Sequence, residues 1–174
     1  TAFGAAPASG TLPGQQVVSG FQGNGLVNTF LGGDSTTGSL SSETFVISQD
    51  YISFLIGGGN HPITDGSGET TFNLVVGGVR FRSETGEDNE YLQWKSWDVS
   101  SLKGQSAHFE IIDNNTGSWG HINVDHIWFT PEPFDAVDDS LYADYGADFY
   151  APITFNNMPD ERRVLISWAN VWPY

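Results

Sequence analysis

Between residues 17 and 129 the chain breaks into roughly eight strand-length segments separated by glycine, asparagine and aspartate turns, with almost no helical periodicity. That punctuation constrains the fold more than any other feature. Residues 26–30 end at Gly32-Gly33-Asp34, residues 72–76 and 79–83 flank Gly77-Gly78, and residues 39–47, 91–99, 106–112 and 116–129 complete the series, with a shorter strand expected at 16–19. Residues 51–56 are apolar on both faces and read as a central strand. They run into Gly57-Gly58-Gly59, where the expectation is a close backbone crossing with no room for a Cβ. The pattern predicts an all-β protein, a jelly-roll β-sandwich over residues 1–130.

At Thr130-Pro131-Glu132-Pro133-Phe134 the alternating prolines stop any central strand, so residues 131–140 read as a linker. A separate unit follows over residues 141–174, with strands at 153–155 and 164–168. Two strands cannot bury a core by themselves, so this tail must dock on the sandwich or belong to a larger body.

The formal charge is -15, with 6 basic against 21 acidic residues, which excludes nucleic acid and anionic membrane surfaces as partners. Neutral ligands such as carbohydrates remain. Cysteine is absent, which removes disulfides, thiolate metal sites and a cysteine nucleophile. No apolar run is long enough to span a bilayer. No leader is visible, which reads as a mature chain, a fragment or a cytosolic one; Asn114-Asn115-Thr116 is a glycosylation acceptor, and the expectation is a secreted protein.

The stretch from Trp119 to Ile127 follows a turn and alternates: His121, Asn123 and Asp125 share one face, Ile122 and Val124 the other. A polar row beside a tryptophan could hydrogen-bond a sugar, hold a metal ion or tie down a neighbouring loop. Trp94 and Trp97 differ in parity, so one of them faces the core. Asp34, Asp113 and Asp125 are the oxygen ligands available for Ca²⁺; no other cofactor is expected.

Two resemblances add to this reading. Asp144-Tyr145-Gly146-Ala147-Asp148-Phe149-Tyr150-Ala151, the turn at residues 157–163, and Ile166-Ser167-Trp168-Ala169-Asn170-Val171-Trp172 resemble, in order and spacing, a propeller blade of glycoside hydrolase family 32, the β-fructosidases (invertases, inulinases, levanases). Ala169 stands where that family often has Met. Most of residues 1–129 resembles the jelly-roll module called carbohydrate-binding module family 66. The matching pieces are Thr1-Ala2-Phe3-Gly4, Gly25-Leu26-Val27-Asn28, Gly32-Gly33-Asp34, Phe54 to Gly59, Trp97-Asp98-Val99-Ser100, Leu102-Lys103-Gly104 and Trp119 to Ile127. Such modules accompany fructosidases and bind fructan ends. The module usually opens with a strand containing Asp-Phe-Glu-Gly, and this chain starts after that point.

The resemblance implies a partial β-propeller blade after the sandwich and a retaining parent hydrolase using two carboxyl groups. The family's nucleophile motif (Trp-x-Asn-Asp-Pro-like), its Arg-Asp-Pro and its Glu-Cys acid motif are all missing here, so no catalytic residue is expected in this chain. Trp168, with Asp148 and Tyr150, is expected to line the fructose pocket of the parent, or Trp168 is plain blade core. For the sandwich, a fructose-sized ligand needs hydroxyl partners and an apolar face. Asn60, His61, Arg82, Glu90, Trp119 and His121 supply these, with an Arg82–Glu pair on a solvated hairpin as the competing reading. The expected function is the fructan-binding part of a secreted β-fructosidase acting on levan, inulin or sucrose. The alternatives are a non-binding insert that shapes the glycosidase, or one piece of a nicked enzyme. The expected partners are a fructan ligand and the remainder of the parent.

Overall fold

In the computed structural model, residues 1–64, 66–134, 149–155 and 164–169 are described, and the chain forms two units, Thr1–Asp139 and Ser140–Tyr174. The first unit holds β1 (Val27–Asn28), β2 (Gly38–Ser41), β3 (Phe45–Val46), β4 (Tyr51–Gly58), β5 (Thr70–Val76), β6 (Val79–Glu84), β7 (Asn89–Asp98), β8 (Ser106–Asp113) and β9 (Ile122–Thr130). One 3-10 turn, Ser100–Leu102, interrupts them. One antiparallel sheet has the order β1-β9-β4-β7, and the second has β2-β8-β5-β6 with β3 also on β8. The protein is all-β.

The sheets pack face to face because each contributes one apolar row. Phe54 of β4 meets Phe72 of β5 edge-on at 4.8 Å, and Trp97 of β7 stacks on Phe72 at 5.0 Å. Ile122 and Val124 join this core from β9, and Phe109 and Ile111 join it from β8. Phe54 is fully buried, and its truncation to alanine would cost about 3–5 kcal/mol. Trp94 points the other way, to the outer face of the first sheet, as its parity with Trp97 requires.

β4 is apolar on both faces for a structural reason. Its outer-face Leu55 is buried with Val18, Leu26 and Leu92 beneath the N-terminal segment, against which Ala8 and Phe21 also pack. The segment is pinned by the Ala8–Leu26 bridge. Residues 16–19 form no strand: Val17 is exposed, Val18 N–H donates to the Thr11 hydroxyl, and Ser19 makes one isolated bridge to Tyr91. Residues 39–47 divide into β2 and β3 because the Ser42 hydroxyl accepts the Phe109 N–H in place of a backbone carbonyl. The strand expected from residue 116 starts only at Ile122, because Trp119 adopts φ 60° and turns the chain out of extended geometry.

The glycine run meets its expectation. A Cβ on Gly57 would stand 3.0 Å from Asn89 O and one on Gly58 2.7 Å from His121 O; one on Gly59 would overlap Trp119 O. Gly59 N–H donates to His121 O at 2.8 Å, so the end of β4 is bound to the residue just before β9.

The second unit contains an antiparallel pair, β10 (Phe149–Phe155) and β11 (Val164–Ala169), with Tyr150 opposite Trp168. The register shifts between Tyr150 and Ile153, where Pro152 has no N–H to donate.

Candidate functional site

Beside the apolar cluster around Leu55, the outer face of the first sheet carries a buried polar layer. Asn123 of β9 and His121, just before that strand, lie on that face, Glu90 is the second residue of β7, and β1 brings Asn28 opposite Asn123. Glu90 is only 5% exposed and accepts three donors. These are Asn123 Nδ2 at 2.7 Å, His121 Nε2 at 3.1 Å and Gln15 Nε2 at 3.2 Å. His121 Nδ1 meets Asp34 Oδ1 at 2.7 Å, so both ring nitrogens face carboxylates. Burial works against charging the ring, but the bonds and charges of Glu90 and Asp34 outweigh it and raise its pKa. The favoured state is an imidazolium donating to two carboxylates.

Two aromatics fix that ring. Trp119 lies nearly parallel to it at 5.7 Å, and Phe30 meets it edge-on at 5.0 Å. Trp119 reaches this position through its left-handed backbone, a conformation that costs energy outside glycine. Together with Gly14, Gln15, Gln16 and Ser118, these groups enclose a cavity of about 130 Å³. An aromatic wall, two carboxylates and amide groups around a small hollow suit a ligand with one apolar face and several hydroxyls.

Of the residues singled out from the sequence, the structure brings Glu90, Trp119 and His121 together. Asn60 and His61 lie beside this site and not in its wall. Asn60 N–H donates to Asp88 Oδ1, its side-chain oxygen accepts the Thr85 hydroxyl, and His61 Nε2 pairs with Ser118 O at 3.0 Å. His61 thereby braces the loop that carries Trp119. Arg82 sits on β6 of the other sheet and donates to Asp98 O at 2.6 Å and to Phe81 O. The structure neither brings it to the cavity nor gives it a glutamate partner among the described residues. Asp148 lies outside the described residues, and for Tyr150 and Trp168 only their strand placement is described.

The three aspartates considered for Ca²⁺ separate. Asp34 binds His121, Asp125 Oδ2 accepts the Gln22 N–H at 2.7 Å and ties down the N-terminal segment, and Asp113 is buried at the end of β8. Among the described residues no three His, Cys, Asp or Glu side chains gather as a metal cluster. Sequence reasoning missed Gln15 and Phe30 as site residues. Gln15 gave no signal because it lies in a segment without periodicity; Phe30 closes a strand whose end could not be placed against His121 from the sequence.

Comparison with known proteins gives the family. The model of the glycosyl hydrolases family 32 N-terminal domain matches residues 83–174, just over half of the chain, beginning in β6 of the sandwich. The chain is 48% identical over 170 residues to ecdE of Aspergillus rugulosus, provisionally named a glycosyl hydrolase; this covers 98% of the chain and 23% of that protein. It is also 41% identical over 34 residues to a levanase of Bacillus sp. (strain L7), covering 20% of the chain and 4% of that protein. The chain therefore spans less than a quarter of the length of these curated relatives. On the strength of the family match, the chain belongs to glycosyl hydrolase family 32.

Proposed function

We propose that this chain is the fructan-binding part of a secreted β-fructosidase whose complete form hydrolyses levan, inulin or sucrose. The sandwich then acts as a jelly-roll binding module, and residues 141–174 form part of a propeller that the rest of the protein completes. The observation that carries this reading is the cavity between Trp119 and the Glu90–His121–Asp34 row. Trp119 offers a ring against which an apolar sugar face can rest, and the carboxylates accept from its hydroxyls. At about 130 Å³ the cavity is well below the ~300 Å³ at which drug-sized ligand pockets begin. It suits one terminal sugar residue better than a run of them. The similarity to a levanase supports fructan as the ligand to test.

Calorimetric titration of the folded chain with levan and short fructo-oligosaccharides tests this. Saturable heat that disappears in Trp119→Ala is expected. No heat from the wild-type chain would refute it. One observation favours the competing reading of a non-binding insert: the oxygens of Glu90 are already taken by donors of the protein. On that reading Trp119→Ala would leave the substrate affinity of the complete enzyme unchanged.

A further inference from the structure

The chain contains one Asn-x-Ser/Thr triplet, Asn114-Asn115-Thr116, and the sugar reading makes no use of it. A triplet alone is a sequence signal. Whether the folded chain can carry a glycan there depends on which side chain faces solvent and what bonds it would give up. Both asparagines lie in the loop 114–121 between β8 and β9, and the structure separates them sharply. Asn114 is exposed, whereas Asn115 is 2% exposed.

Asn115 is the structural member of the pair. Its Nδ2 donates to Ser67 Oγ at 3.0 Å and Gly68 O at 3.2 Å, and its Oδ1 accepts the Gly117 N–H at 2.7 Å. Asn114 is held through its backbone instead. Its N–H donates to Glu69 O at 2.7 Å, and its carbonyl packs so closely on Gly68 that a Cβ there would overlap it. The Asn114 side-chain amide makes no hydrogen bond among the described residues, and neither does the Thr116 hydroxyl, which is also exposed. Substituting the Asn114 amide therefore breaks no native bond. Farther along the loop, Ser118 O is paired with His61 at 3.0 Å, so a bulky group on Asn114 need not displace the neighbouring Trp119.

We propose that Asn114 is an N-glycosylation site, taking an oligosaccharide from a lipid-pyrophosphate donor in the secretory pathway. In the transfer the Asn114 side-chain nitrogen bonds to C1 of the first sugar, and the bond from C1 to the pyrophosphate oxygen breaks. The lipid pyrophosphate leaves with that electron pair, and the amide nitrogen loses one proton. Asn115 cannot take its place, because Gly117 stands where Ser or Thr is required two residues on. The inference rests on the secretory part of the proposed function and not on which sugar the hollow binds.

The test is translation of the whole chain behind a secretory leader in the presence of endoplasmic-reticulum microsomes. The protease-protected product should carry one glycan, seen as a mass increment that a peptide N-glycosidase removes. Asn114→Gln and Thr116→Ala should abolish the increment, while Thr116→Ser and Asn115→Gln keep it. A protected chain without the increment, or an increment that survives Asn114→Gln, would overturn the site. The leader supplies entry, so this failure is distinct from that of the secretory reading, which falls if the native protein stays in the cytosol. A second measurement reads the folded state. Glycosylated chain should melt no more than about 4 °C below the same chain after enzymatic removal of the glycan. A larger drop would show that the fold does not tolerate a glycan at Asn114 and would also overturn the site.

Discussion

Glu90→Gln is the perturbation that the polar layer makes most informative. Glutamine keeps the shape of the side chain and one carbonyl oxygen, but turns the other oxygen into an NH₂ donor. In the wild type every neighbour of Glu90 is a donor: His121 Nε2, Asn123 Nδ2 and Gln15 Nε2. If the new carbonyl faces His121, the NH₂ group points at two amide donors; if it faces the amides, the NH₂ points at the imidazolium. Each buried donor left without an acceptor costs about 1–3 kcal/mol. Breaking a buried ion pair costs about 3–5 kcal/mol, but here Asp34 still holds the ring. Water entering the adjacent cavity reduces the loss further. The expected destabilisation is therefore about 2–4 kcal/mol, a large share of a typical stability of about 5–15 kcal/mol. Urea unfolding of both proteins under identical conditions measures it, with an unchanged slope showing that the unfolding unit is the same. A double-mutant cycle with Asn123→Ala should return a coupling of about 0.5–3 kcal/mol. A Glu90→Gln midpoint shift equivalent to less than about 0.5 kcal/mol, the scale of a neutral surface change, would refute the reasoning.

Gly59→Ala should be far worse than its one methyl suggests, because the new Cβ would overlap Trp119 O; a loss above about 2 kcal/mol and of sugar binding is expected, read by thermal unfolding and titration. Trp97→Phe should cost less than about 1.5 kcal/mol by urea unfolding, since it removes a buried indole N–H that has no partner among the described residues and thereby offsets the lost packing. Arg82→Ala should leave levan affinity within about twofold of wild type, because Arg82 is bound to Asp98 O on the opposite sheet.

The strands were legible wherever a turn residue closed an apolar or alternating run, as at Gly77-Gly78 and at the glycine run after β4. Parity also transferred directly: Trp97 inward and Trp94 outward, Ile122 inward and His121 outward. Two kinds of feature were not legible. One is side-chain substitution for backbone bonding, as where Ser42 interrupts the strand pairing on β8. The other is long-range assembly of short polar side chains. Asp34 and Gln15 reach Glu90 and His121 from loops whose local sequence signals only a turn. Arg82 illustrates the converse: eight positions from Glu90, it lies on a different sheet, because the chain crosses between sheets after β6.

The way His121 is held also limits what the hollow can admit. Its ring is the sole positive group in the wall, and both of its protons are committed to carboxylates of the protein itself. An arriving anionic oxygen would find no unclaimed cation and would face two like charges at short range. On the proposed sugar reading, phosphorylated or uronic sugars should be turned away at the wall, whereas uncharged rings that bring hydroxyl protons should not.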